Sequence, residues 1–185
     1  GEQAFKDMRR LAQLQTEMNR EEEAVETYRD LLRRYPTSPE RPDLRLALSR
    51  QLIELSREGD GDGRVLRQAL REINLFLGNN PDHPRRDEAE LLLAIVRERQ
   101  ATRLYELGEF YLRPAHRRVP AARRYLSDVM REYPETMAAS LAESLLAEVP
   151  EAEPSAPPEP DTPDTAPSRK RSEEHTSELQ SLLII

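Results

Sequence analysis

Three segments of the chain share one arrangement of apolar positions, each counted back from a proline. An alanine lies twelve residues earlier, with Ala24, Ala69 and Ala122 preceding Pro36, Pro81 and Pro134. An apolar residue follows at minus eight (Tyr28, Ile73, Leu126) and an apolar pair at minus five and minus four (Leu31-Leu32, Phe76-Leu77, Val129-Met130). Steps of four, three and four bring these side chains to one helical face. The proline then ends the helix, because it has no N–H and its ring clashes with the preceding turn. Tyr35, Asn80 and Tyr133 stand immediately before the prolines, and Ser38, His83 and Thr136 two residues after them. A helix that stops abruptly with one apolar face uncovered needs a neighbour. Three of them in register predict a helical repeat protein.

Around these units the pattern predicts seven helices. The first covers about 3–18, with Phe5, Met8, Leu11 and Leu14 or Gln15 marking its face, and Asn19 breaks it. The second covers about 21–35 and opens with three glutamates, which suit the positive end of a helix dipole. The third covers about 43–57, with Leu44, Ala47, Leu48, Leu52 and Leu55 inward. A Gly59-Asp60-Gly61-Asp62-Gly63 turn follows, and the fourth helix runs to Gly78. The last three cover about 84–113, 120–133 and 136–149, the sixth with a proline near its first turn.

After Val149 the composition shifts. Seven of the 15 prolines lie between Pro150 and Pro167, among acidic and hydroxyl residues, so residues 150–170 are expected to be a disordered tail. The segment Arg171–Ser181 resembles the translation of a sequencing-library adapter. Residues 171–185 are therefore expected to be non-native, with the authentic sequence continuing only to about Lys170. Residues 1–149 form the expected repeat domain.

Charge refines this division. The formal net charge is −7, yet residues 1–149 carry 25 basic and 27 acidic side chains, so the repeat domain is nearly balanced and the tail is acidic. That balance lacks the basic footprint of a nucleic-acid binder. A mean hydropathy of −0.81 with no tryptophan suits a thin solenoid better than one large core. With no cysteine there is no disulfide or thiolate chemistry. No stretch approaches the roughly 20 apolar residues of a membrane span.

The residues offer little chemistry. His83, His116 and His175 are dispersed, and His83 occupies the position of Ser38 and Thr136, which favours a turn or capping role. Asp60 and Asp62 suggest a calcium loop, but its final glutamate would fall at Ala69. The carboxylates read as solvated helix faces, and neither a phosphate loop nor a nucleophile elbow occurs. No catalytic residue, cofactor site or metal site is expected. Arg113, Arg117, Arg118, Arg123 and Arg124 cluster around the last inter-helix turn and suggest a docking patch for an acidic surface, an ordinary basic surface being the alternative. Tyr105 and Glu109, one turn apart, either line a binding face or, for Tyr105, belong to the core.

The units Leu11-Ala12, Asn19, Ala24, Tyr28, Leu31, Pro36 and Leu107-Gly108, Tyr111, Ala122, Leu126, Val129, Pro134 resemble the tetratricopeptide repeat, the second with two extra residues in its turn. Asn80–Pro84, a long helix, Glu109–Arg113 and then Arg131–Thr136 together resemble the BamD-type lipoproteins. The expected fold is all-α: a tetratricopeptide-like, right-handed solenoid of antiparallel helix pairs. The resemblance implies a non-catalytic, protein-binding scaffold at the periplasmic face of the bacterial outer membrane, assisting β-barrel insertion. It implies as partners the central β-barrel assembly subunit, companion lipoproteins and unfolded outer-membrane proteins, with membrane contact only through a lipidated N-terminus. On that comparison earlier repeats precede Gly1. Another envelope repeat adaptor, or a regulatory repeat domain of a larger cytoplasmic protein, are the alternatives. Tyr105, Glu109, Arg113, Arg123 and Arg124 are the candidate partner-binding residues.

Overall fold

The computed structural model describes residues 1–58 and 63–151. The Gly59–Asp62 part of the predicted turn, nearly all of the predicted tail and the adapter-like segment lie outside the described residues. Among the described residues there are seven α-helices and no strand: α1 (Glu2–Glu17), α2 (Glu21–Arg34), α3 (Arg41–Leu55), α4 (Arg64–Asn79), α5 (Arg86–Phe110), α6 (Val119–Glu132) and α7 (Met137–Glu148). Each helix packs on the next in chain order, as a tetratricopeptide-like solenoid requires.

The predicted repeat face is the buried one. Ala24, Tyr28 and Leu31 of α2, Ala69, Ile73 and Phe76 of α4, and Ala122, Leu126 and Val129 of α6 are all buried. Leu32, Leu77 and Met130 pack at its margin.

The three proline turns repeat one hydrogen-bond scheme. Tyr35, Asn80 and Tyr133 leave the helical region with φ/ψ of −124/64, −136/62 and −133/50, as a residue before proline must. Their carbonyls accept the N–H of Ser38, His83 and Thr136 at 3.2, 3.3 and 3.1 Å. Those three side chains then accept a backbone N–H at the start of the next helical segment: Ser38 Oγ from Glu40 (3.2 Å), His83 Nδ1 from Arg85 (3.1 Å) and Thr136 Oγ1 from Ala139 (3.2 Å). Three chemically different residues thus each accept a backbone N–H two or three residues on, and of the three Thr136 does so as the N-cap of its helix. His83 also sets its ring edge-on to Phe76.

Arginines close the opposite helix ends. Arg41 donates to the Leu32 carbonyl of α2 and the Pro36 carbonyl after it, Arg99 to the Ile53 carbonyl of α3, Arg97 to the Glu132 carbonyl of α6 and Arg123 to the Val149 carbonyl after α7. Each satisfies a helix-terminal acceptor and sets positive charge at the negative end of the dipole.

The core has two parts that meet on α5. Ala89, Leu92 and Val96 complete the cluster built by α1–α4, whereas Ala101 starts the one shared with α6 and α7. At 100° per residue the second buried set, Ala101 and Gly108, lies roughly a third of a turn around the helix from the first. One long helix thus serves two successive packing partners.

Two inward assignments differ from the sequence reading. On α1 the buried positions are Phe5 and Ala12, while Leu11 and Leu14 are 48% and 38% exposed. Ala12 meets α2 closely, and its large neighbours are turned outward by the helical period. Helix α3 buries Leu46, Ser49, Gln51 and Ile53 beyond its predicted face, because α2, α4 and α5 surround it. Helix α5 also stops at Phe110, short of Arg113, and the chain continues through a 3₁₀ turn at Pro114–His116.

Candidate functional site

The candidate residues gather where α5 gives way to α6. Tyr105 packs against the second core cluster and its hydroxyl donates to Glu109 Oε1 at 3.0 Å. Loss of solvent raises the Tyr105 phenol above its usual range, and the Glu109 hydrogen bond adds to this. Glu109, Leu112 and Arg113 from α5 and its exit, with Leu145 of α7, line an open trough of about 280 Å³.

Beyond Arg113 the longer turn is built on rings. His116 stacks on Phe110 with centroids 4.3 Å apart and planes at 18°, and Tyr111 lies parallel to Tyr125 of α6 at 5.7 Å. The Arg118 N–H donates to the Tyr111 carbonyl at 2.8 Å. A hollow of about 440 Å³ bordered by Phe110, Tyr111 and residues 114–118 opens there. Arg113, Arg117 and Arg118 are exposed.

The two α6 arginines have different surroundings. Arg124 points to solvent, with only a long contact of 3.9 Å to Asp128. Arg123 instead reaches the Val149 and Pro150 carbonyls at 3.0 and 3.3 Å and holds the end of α7. The structure thus joins Glu109 and Arg113 in one trough with Tyr105 bonded to Glu109 from the core side, leaves Arg124 on the surface and gives Arg123 a helix-end contact.

Sequence reasoning did not single out Arg97 and Glu98, which grip the last proline turn. Arg97 pairs with Glu135, donates to the Glu132 carbonyl and lies over the Tyr133 ring at 5.2 Å. That hydrogen bond lowers the Glu135 carboxyl and raises the Arg97 guanidinium. The Glu98 carboxylate accepts the Met137 and Ala138 N–H groups at 2.9 and 3.0 Å. The only hint in the chain was opposite charge on adjacent residues of a helix known to be long.

A second groove, of about 480 Å³, lies between α1, α3 and the start of α5, with Arg9, Asp43, Arg50 and Arg85 on its walls. Its charges are matched: Arg9 with Glu40, Arg85 with Asp43 and Glu88, and Arg50 with Glu88. Burial, then the neighbouring Arg85, lowers the Arg50 guanidinium. Among the described residues no group of three or more His, Cys, Asp or Glu is placed to hold a metal ion, and no helix is long and apolar enough to cross a membrane.

No curated protein matches the chain. A family model described as YfiO, outer membrane lipoprotein, matches residues 22–152, which take in every helix from α2 to α7. That is well over half of the 185 residues, and the chain belongs to this outer membrane lipoprotein family, the BamD-like one.

Proposed function

We propose that the protein is a non-catalytic scaffold that helps assemble β-barrel proteins at the periplasmic face of the outer membrane, binding other proteins through its helical stack. The family match over residues 22–152 is the observation that carries this reading. The geometry supports it: two open grooves are lined by helix faces, and the charges of the larger one hold one another in ion pairs instead of converging on a reacting centre. The partners in this reading are the central β-barrel assembly subunit, its companion lipoproteins and unfolded outer-membrane proteins. Tyr105, Glu109, Arg113 and Arg124 form the docking surface at the last repeat, and Arg123 supports it by fixing α7. Attachment to the membrane is through the lipid that the family description names.

Depletion of the protein in its source bacterium tests this. Folded β-barrel proteins in the outer membrane should fall, and their unfolded forms should accumulate in the periplasm, before other envelope proteins change. Normal β-barrel levels after full depletion would refute the assembly role.

A further inference from the structure

Three guanidinium groups at the end of α5 have no carboxylate partner among the described residues: Arg113, Arg117 and Arg118. Arg45, Arg50 and Arg97, by contrast, are paired with Glu72, Glu88 and Glu135, and Arg41, Arg99 and Arg123 are held by helix-end carbonyls. The nearest acid in the chain, Glu109, lies on α5 and accepts the Tyr105 hydroxyl, whereas Arg113 stands beyond the helix end at Phe110, out of the register in which a helix pairs opposite charges.

The turn that carries these charges is held rigidly. The Phe110–His116 and Tyr111–Tyr125 stacks and the Arg118–Tyr111 backbone bond fix its path. Three like charges within six residues repel one another, and an anion bound across them would relieve that repulsion. Apolar surface adjoins the first of them. Leu112 and Leu145 line the trough beside Arg113, and Leu141, one turn back on α7, is 49% exposed. A recess next to fixed cations suits one apolar side chain flanked by carboxylates; a bilayer surface is met by protruding groups, not recessed ones.

We propose that the α5–α6 turn docks an acidic, amphipathic segment of a partner protein, with its carboxylates on Arg113, Arg117 and Arg118 and an apolar side chain in the Leu112–Leu145 trough. The proposal rests on the reading of the chain as a scaffold and names the chemistry its partner brings. Guanidinium groups fit carboxylates in two-point contacts, which gives the site directional preference as well as charge.

The test uses the full chain and two fluorescein-labelled helical peptides, one with leucines on one face and glutamates on the other, the second with every glutamate replaced by glutamine. Fluorescence anisotropy should show the acidic peptide binding about tenfold more tightly, the combined effect of three exposed pairs. The triple variant Arg113→Gln, Arg117→Gln, Arg118→Gln should keep its helical circular dichroism and lose that preference. Leu145→Gln should weaken both peptides alike. Equal binding of the two peptides by the wild type, or an unchanged preference in the triple variant, overturns the proposal. So does arginine-dependent co-sedimentation with phosphatidylglycerol vesicles without any peptide preference, which would assign the turn to a membrane surface. Because the peptide preference is read on purified protein, its loss and the loss of the assembly role are separate outcomes.

Discussion

Gly108 of α5 and Leu126 of α6 meet with no room for a methyl group between them. A Cβ on Gly108 would lie 2.7 Å from Leu126 Cδ2 and 2.8 Å from its Cγ. Leu126 is fully buried and cannot swing away. The glycine here is required by close approach, since its φ is not in the left-handed region. In a helix interior alanine is favoured over glycine by about 1 kcal/mol, whereas overpacking costs about 1–3 kcal/mol. Gly108→Ala should therefore destabilise the wild type but stabilise a Leu126→Ala background, a reversal of sign that denaturant titration of the four proteins measures.

Ala69 of α4, the repeat equivalent of Ala24 and Ala122, is fully buried. Ala69→Leu should lower stability by about 1–3 kcal/mol through overpacking. An unchanged midpoint of urea unfolding would show that α4 has space at this point.

The grip of Glu98 on α7 predicts a local effect. Glu98→Ala removes the acceptor of two N-terminal N–H groups and a favourable charge at the dipole, a loss of about 1 kcal/mol. Hydrogen exchange at Met137 and Ala138 should accelerate more than exchange within α2 or α4. Uniform acceleration would mean that α7 opens only with the whole stack.

The Arg97–Glu135 pair sets a sign for pH dependence. The folded Glu135 carboxyl titrates below its unfolded value of about 4.3, so its contribution is present above that pH and is lost as pH falls through the lower folded value. The pair is half-exposed and its contribution small. Glu135→Gln should flatten the fall in Tm below about pH 4.3 and change little at neutral pH. An acid limb identical to that of the wild type would remove Glu135 from the account.

Local features were well legible in the sequence. The minus-twelve, minus-eight and minus-five spacing located Ala24, Tyr28, Leu31 and their equivalents in the core, because helical period and proline termination act within one segment. The position shared by Ser38, His83 and Thr136 pointed to turn chemistry, which the structure shows for all three. Relations between segments were not legible. Leu11 and Ala12 are adjacent, and only the approach of α2 decides which is covered. Arg123 belonged to a run of arginines, yet its partners lie 26 and 27 residues away at the end of α7. The end of α5 at Phe110, which takes Arg113 out of helical register with Glu109, was not legible either, and Glu109 instead accepts the Tyr105 hydroxyl.

The most direct measurement is calorimetric titration of the purified chain with the periplasmic domains of the central β-barrel assembly subunit. The account predicts a defined complex whose affinity falls as salt is raised and is lost in the Arg113, Arg117, Arg118 triple variant, with thermal unfolding unchanged. A fully folded wild-type chain that gives no complex would contradict it, and so would one that binds independently of salt and of those arginines.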